Sequence, residues 1–266
     1  MHRSLIQSWV PFGDNNVIDK IIAELKGNDF NVSDFVINVD EYRNYMQKAN
    51  YPEFNDYYSC YQSRNNFIEK SLEHYLAAKL LALSRSDVYI DIANSYSPVP
   101  EIYEKLYGCK VYRQDLKFPN GVNNNVIGGD AAHMPLEDGF ATKMALHCSF
   151  EHFERDSDMR FIREASRVLS SDGRLCILPL YLFTVYAIQT DIAVLSEGSI
   201  KFENDAIIYA ADGWEERHGR FYDIPHLISR IRNNLNDLRL TIHVIKNPGD
   251  IDSSCYVKFA AVFEKN

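Results

Sequence analysis

NVIGGDAAHMPLEDG (125–139), TKMALHCSFEHF (142–153) and, after one helix, EASRVLSSDGRLCILP (164–179) are the stretches that decide the fold. An apolar strand at about 125–129 ends in the acidic turn Gly129-Asp130-Ala131. A second strand covers about 142–147 and ends in a polar cluster from His147 to His152. Between about Ser157 and Leu169, the residues Phe161, Ile162, Ala165, Val168 and Leu169 share one face at helical spacing. Asp156 or Ser157 is suited to cap that helix, and Gly173 to make the tight turn into an apolar strand at 174–179. Strand, helix and strand joined this closely imply a parallel α/β sheet. The rim beyond the strands' carboxyl ends is where such sheets bind ligands.

Working outward, VYIDIA (88–93) reads as a strand, Pro98 to Leu106 as a helix and KVYRQD (110–115) as a strand. The runs at 88–93 and 174–179 are nearly continuous in apolar residues, as parallel strands covered on both faces require. About 60 residues then separate the strand at 174–179 from RLTIHVI (239–245), with a helix near Ile224 to Leu235. A KNPGD turn follows, and CYVKFAAVF (255–263) is expected to pair antiparallel with the preceding strand. Five parallel strands closed by a hairpin differ from the six-strand dinucleotide arrangement. Upstream, residues 1–62 look irregular apart from a helix at Asn16 to Leu25 and an aromatic piece, Tyr42 to Tyr61. The tyrosines of that piece either pack as a cap or line a pocket. A long helix is expected from Asn65 to Leu83, because Ile68, Leu72, Tyr75, Leu76, Leu80 and Leu83 fall on one face.

Composition narrows the function. Of the 266 residues, 46% are hydrophobic and 13% aromatic, a globular balance. With 28 Lys and Arg against 37 Asp and Glu the net charge is −9, and there is no basic block to grip a phosphate backbone, so nucleic acid is not an expected partner. The five cysteines (Cys60, Cys109, Cys148, Cys176, Cys255) are scattered and lack CxxC spacing. They suit a reducing compartment better than a disulfide framework or a zinc site. The segment MHRSLIQSWVPFG lacks the apolar run of a secretory signal, and the 13-residue run Cys176 to Ile188 is too short to span a bilayer. The expectation is a cytoplasmic chain with no membrane span and no metal. Its oligomeric state is not legible.

The candidate site residues lie on the carboxyl rim. The first strand ends in Asp91-Ile92-Ala93-Asn94-Ser95-Tyr96-Ser97-Pro98, where Ser97 and Pro98 are suited to start a helix. Taken alone, this is an ordinary strand–turn–helix junction. The second strand ends at Asp115, a carboxylate placed to accept both hydroxyl hydrogens of a ribose. At the third, Asp130 can accept an adenine amino hydrogen, while Ala131 and Ala132 leave space for a flat ring. Beyond the fourth, His147, Glu151 and His152 can bind substrate or move a proton. The five-residue separation of the two histidines does not match a metal-ligand pair.

Together, the Asp91–Ser97 junction, Asp115, GGDAAHMPLEDGFATKMALHCSFEHF and EASRVLSSDGRLCILP resemble the class I S-adenosylmethionine-dependent methyltransferases, closest to the type 11 small-molecule group. The resemblance covers about residues 88–180. It implies an α/β fold: a Rossmann-like doubly wound seven-stranded sheet, five parallel strands plus a C-terminal antiparallel hairpin, with a helical N-terminal and insertion cap. Residues 1–62 would be a cap or lid segment and 63–266 the methyltransferase domain, with a lid insertion at about 181–222. The family's D-x-G-x-G-x-G loop has Ala93, Ser95 and Ser97 in its glycine positions here, and a serine fits there where φ stays negative. The cofactor implied is S-adenosyl-L-methionine, with Asp91, Ala93, Asn94 and Ser95 at the methionine part, Asp115 at the ribose, and Asp130 and Ala131 at the adenine. His147 would lie near both cofactor and acceptor. For a hydroxyl acceptor such as a sugar or lipid-linked group, His147 or His152 would be the base. Trp214, His218, Arg220 and Tyr222 would belong to the acceptor lid. Two other readings stay open: a catalytically silent methyltransferase-like binding or scaffold protein, and a nicotinamide-dependent oxidoreductase. The second lacks a glycine-rich loop for a pyrophosphate.

Overall fold

The computed structural model describes residues 5–63, 66–198 and 200–266. The expected helix start at Asn65 and the first four residues lie outside that range. Along the described chain the first strands are β1 (Leu5–Ile6), β2 (Asn31–Phe35), β3 (Val88–Ile92), β4 (Lys110–Asp115), β5 (Gly121–Asn123) and β6 (Val126–Gly128). After them come β7 (Ala141–His147), β8 (Leu169–Leu178), β9 (Ala187–Asp191), β10 (Ile207–Ala211), β11 (Gly219–Phe221), β12 (Leu238–Ile245) and β13 (Phe259–Lys265). The helices that matter to the site are α1 (Asn15–Gly27), α2 (Val39–Ala49), α3 (Asn55–Ser63), α4 (Phe67–Leu81), α5 (Val99–Tyr107) and α6 (Ser157–Val168).

Nine strands form the main sheet in the order β2-β12-β13-β8-β7-β3-β4-β6-β5. The five expected parallel strands occupy its middle: β3 pairs parallel with β4 and β7, β4 with β6, and β7 with β8. The expected hairpin, β12 with β13, is antiparallel and joins β8 through β13. Those seven strands agree with expectation, but the sheet is wider. β2, from the N-terminal segment, adds parallel to β12, and β5 folds back antiparallel on β6. β2 escapes a sequence reading because NVSDF is short and polar, an edge strand with no alternating apolar face.

Both faces of the sheet are covered. α4, α5 and tyrosines 42, 45, 51 and 58 pack with Tyr89, Ala145 and Cys176 on one side. α1 and α6 pack with Ile90, Met144, Leu175 and Ile242 on the other. This double burial is why β3 and β8 carry apolar residues on both faces. The segment expected to be irregular therefore holds three helices, and its tyrosines pack as core. The insertion, for its part, supplies β9, β10 and β11 of a second sheet, β1-β10-β9-β11, which β1 of the N-terminal segment completes and which shares core contacts with the main one.

Several boundaries shift for local reasons. The turn before the central run of β8 takes its left-handed residue at Asp172 (φ 60°), not at Gly173. Gly173 is needed for space, since a Cβ there would sit 2.7 Å from the Ser170 carbonyl oxygen. The Asp156 side chain bonds Arg160 and leaves the start of α6 without a side-chain cap. The helix expected at 224–235 is broken into a short α turn, a π turn and a 3-10 turn.

Candidate active site

The carboxyl ends of β3, β4 and β6 bring seven of the expected residues along one rim. Asp91, on β3, is 2% exposed; Tyr89 Oη donates to its Oδ1 at 2.9 Å and Asn94 Nδ2 to its Oδ2 at 2.6 Å. Burial pushes this carboxyl up to about 7 despite those two donors. Asn94 Nδ2 also reaches the Ser97 carbonyl at 2.8 Å, while Asn94 Oδ1 is buried without a partner among the described residues.

The loop after β3 corrects the expectation about φ. Ala93, Ser95 and Tyr96 sit at φ 53°, 49° and 65°, the left-handed region that glycine enters freely and other residues enter at about 1–2 kcal/mol each. The glycine-type backbone is thus kept without two of the glycines. Neighbours hold it there. Ala93 N donates to Gln114 Oε1, Asn94 N to the Gln114 carbonyl, and Ser95 N to Asp115 Oδ2 at 2.8 Å.

Asp115, 7% exposed, organises the second corner. Its Oδ1 accepts from Lys117 N at 2.9 Å, and Lys117 Nζ reaches Ser95 Oγ at 2.8 Å. At the third corner Gly129 adopts φ 122°, and its carbonyl accepts from Gln114 Nε2 at 2.6 Å. Asp130 accepts from Ala132 N and Arg160, and Ala131 beside it is buried.

The two histidines are not partners. His147, at the end of β7, has Nε2 3.3 Å from Tyr89 Oη and 3.6 Å from Asp91 Oδ1. Burial, with Lys70 nearby, drives its pKa down to about 3, so it is neutral at physiological pH. His152 instead faces the insertion: its Nδ1 bonds the His218 carbonyl oxygen and its ring lies 6.1 Å from Trp214.

The insertion residues differ among themselves. Arg220 is fully buried, and every one of its nitrogens is engaged: Nε by Tyr186 Oη, Nη1 by the Phe153 carbonyl and Asp158, Nη2 by the Arg155 carbonyl and Glu203. Tyr222 Oη donates to Asp158 at 2.7 Å. His218 is buried with Nδ1 on the Glu151 carbonyl. These three tie the second sheet to α6 and the Phe150–Phe153 turn. Trp214 is half-buried and lies against Gly219, where a Cβ would meet its ring at 2.5 Å.

One polar group escapes sequence reading. α4 is hydrophobic enough to read as plain core, yet it buries Glu69, Glu73 and His74 and half-buries Lys70. Glu69 and Glu73 are both 0% exposed. Lys70 Nζ lies 3.4 Å from Glu73, and Cys148 Sγ donates to Glu73 Oε1 at 3.2 Å. Tyr181 Oη and Tyr256 Oη lie 3.6 and 4.0 Å from that sulfur, and Tyr256 N donates to Glu69 Oε2 at 3.0 Å. Burial raises both Glu69 and Glu73. Cys148 takes φ 45° directly after His147, which turns its thiol into this group. Four acids and bases within six residues of one helix were the available signal.

Among the described residues, no group of three or more His, Cys, Asp or Glu is placed to hold a metal ion, and no helix is long and apolar enough to cross a membrane.

Residues 73–177 match the family model described as a methyltransferase domain. No curated protein matches the sequence. Among solved structures, the chain is similar to the Burkholderia thailandensis 1,6-didemethyltoxoflavin-N1-methyltransferase, crystallised with S-adenosylhomocysteine. Identity is 12% and the TM-score 0.51, over 86% of this chain and 91% of that one. It is also similar to geranyl diphosphate C-methyltransferase from Streptomyces coelicolor, at 13% identity and a TM-score of 0.44, over 73% and 76% of the two chains. In sequence and in its α/β Rossmann-like fold, the chain resembles the class I S-adenosylmethionine-dependent methyltransferases.

Proposed function

We propose that this chain is an S-adenosylmethionine-dependent methyltransferase acting on a small-molecule acceptor. The observation that carries it is the row of carboxylates at the ends of adjacent strands: Asp91 on β3, Asp115 on β4 and Asp130 just beyond β6. A glycine-type backbone at Ala93 and Ser95 bridges the first two. The residues present fit the cofactor. The orphaned, buried Asn94 Oδ1 offers an acceptor at the Asp91 corner, and small Ala131 and Ala132 line the Asp130 corner. Asp91, Ala93, Asn94 and Ser95 would hold the methionine part, Asp115 the ribose, and Asp130 and Ala131 the adenine, with His147 beside Asp91. When bound, S-adenosylmethionine supplies an electrophilic methyl group on a sulfonium. The protein's work is then alignment of the acceptor and exclusion of water.

The domain division follows from the same reading: residues 63–266 as the catalytic unit, 1–62 as a cap, and 181–222 as an insertion over the acceptor side. A sugar or lipid-linked hydroxyl is the acceptor class that would call on a histidine base. His147 is a weak one, because burial keeps it neutral. His152, about a third exposed, would take that role. That no disulfide joins the cysteines among the described residues supports a cytoplasmic setting.

Titration calorimetry with S-adenosylmethionine and S-adenosylhomocysteine is the test. Binding is expected, is lost in Asp115→Ala, and is followed by labelled products in a metabolite extract. No heat with either nucleoside, alongside binding of a nicotinamide cofactor, would overturn it. A second reading, a silent methyltransferase-like scaffold, draws on the engagement of both Asp115 oxygens by backbone N–H groups and on the Lys117–Ser95 bond across the crevice. Binding without product from any extract would favour it.

A further inference from the structure

The group under α4 has chemistry that neither a cofactor site nor a plain core requires. Glu69, Glu73 and Glu151 are at least nine-tenths buried, and Lys70 Nζ, 3.4 Å from Glu73, is the cation among them. Two of their oxygens, Glu69 Oε1 and Glu151 Oε2, are buried without a hydrogen-bond partner among the described residues. Glu151 lies within electrostatic reach of Glu73, Cys148 and Tyr181, and its Oε1 is 3.7 Å from His152 Nε2. Buried carboxyl oxygens lacking partners suit a ligand that brings N–H groups, and a positive charge on it would hold those carboxyls ionised against their burial. An organic ammonium brings both. The walls suit one. Tyr181 and Tyr256 line the group, and Phe12 closes it from outside at ring distances of 5.3 and 6.2 Å. Aromatic faces beside carboxylates form a recognised ammonium environment. A cavity of about 10 Å³, room for one water, already lies between Phe12, Tyr181, Tyr256 and Lys258.

We propose that Glu73 and Glu151, walled by Cys148, Tyr181 and Tyr256, bind the methyl acceptor as an ammonium, so that the atom methylated is an amine nitrogen. This rests on the methyltransferase reading. Placement supports it: Cys148 follows His147, whose Nε2 is 3.6 Å from Asp91, and His74, next to Glu73, lies 5.0 Å ring to ring from His147. Glu73 takes one proton from the bound ammonium. The freed nitrogen lone pair forms the N–C bond to the methyl of S-adenosylmethionine while the S–C pair returns to sulfur. The products are a methylated ammonium and the neutral thioether S-adenosylhomocysteine, and Glu73 then gives its proton to water. An alcohol, with one O–H and no charge, would give Glu151 Oε2 a weaker partner than an ammonium does.

The test has a cofactor-free arm and a product arm. In the first, calorimetry on the full chain compares 2-phenylethylamine with 2-phenylethanol, which differ only in the group at issue. The amine is expected to bind at least tenfold more tightly, and Glu73→Gln and Glu151→Gln are each expected to cut that preference below threefold. Two near-isosteric variants guard against one failing to fold. In the second, label from S-adenosylmethionine incubated with a metabolite extract is located by NMR. It is expected on nitrogen and is reduced at least a hundredfold in Glu73→Gln, with S-adenosylmethionine affinity changed less than threefold. No preference for the amine in the wild type, label on oxygen or carbon, or undiminished turnover in both variants would overturn the proposal. Failure of the wild type to bind S-adenosylmethionine would instead bring down the methyltransferase reading itself.

Discussion

Replacing Asp91 with asparagine should separate what this carboxylate does for stability from what it does for binding. Its pKa is about 7 in the folded chain against an ordinary value of 3.8, because it is buried. The sign follows from proton counting. Between pH 3.8 and 7 the folded state holds a proton that the unfolded state has released, so stability falls as pH rises through that window. Its full size is (7 − 3.8) × 1.36, about 4 kcal/mol, complete below 3.8 and absent above 7. A neutral amide in place of the carboxyl cannot ionise and would escape this loss. It would also face Asn94 Nδ2 with a donor of its own; turning the Asn94 amide restores that bond but breaks the one to the Ser97 carbonyl, at about 1 kcal/mol. Urea unfolding followed by circular dichroism at pH 4, 6 and 8 should therefore show D91N about 1 kcal/mol less stable at pH 4 and about 3 kcal/mol more stable at pH 8. Calorimetry should show binding of S-adenosylmethionine lost at both ends. A stability difference that does not change with pH would refute the assignment of a buried, proton-holding Asp91.

Three further outcomes follow from the geometry. Ala93→Gly and Ser95→Gly each relieve a left-handed residue and should each raise stability by about 0.5–1 kcal/mol after glycine's extra unfolded-state entropy, read as a higher Tm; a fall would contradict the observed φ values. Asp115→Ala leaves the Ser95 and Lys117 amides without their acceptor and should cost about 2 kcal/mol in urea unfolding, together with at least a hundredfold in cofactor affinity. Arg220→Met removes a buried guanidinium from Asp158 and Glu203 and should cost about 3–5 kcal/mol, less whatever Arg230 recovers by its own bond to Asp158; a neutral result would show that the network is not stabilising.

The central sheet and its rim were legible because parallel strands and rim carboxylates leave strong local signals. VYIDI and RLCIL can be buried on both faces only in such a sheet, and Asp91, Asp115 and Asp130 each lie at or just beyond the carboxyl end of a strand. What was illegible depended on long-range contact. NVSDF has no apolar face of its own and is a strand only because β12 lies beside it. The φ values at Ala93 and Ser95 are imposed by Gln114 and Asp115, some 20 residues away. Periodicity marks α4 as core but says nothing of how Glu69 and Glu73 reach Tyr256 and Cys148, 187 and 75 residues distant. His147 and His152, five residues apart, were alternative candidates for one base, yet the left-handed turn at Cys148 sends them to different neighbours.

The parallel pairing of β2 with β12 sets a timetable for the chain's birth. Asn31 Nδ2 bonds Thr241 Oγ1 across 210 residues of sequence. At ribosomal speeds of about 5–20 residues per second, the N-terminal strand waits roughly 10–40 s for its neighbour to be made. Through that interval the apolar side of α1, with Ile18, Ile21 and Leu25, has no Ile242 or Val244 to cover it. The nascent protein thus carries an exposed greasy helix beside an open strand edge until β12 has been made, the period in which a chaperone has most to hold.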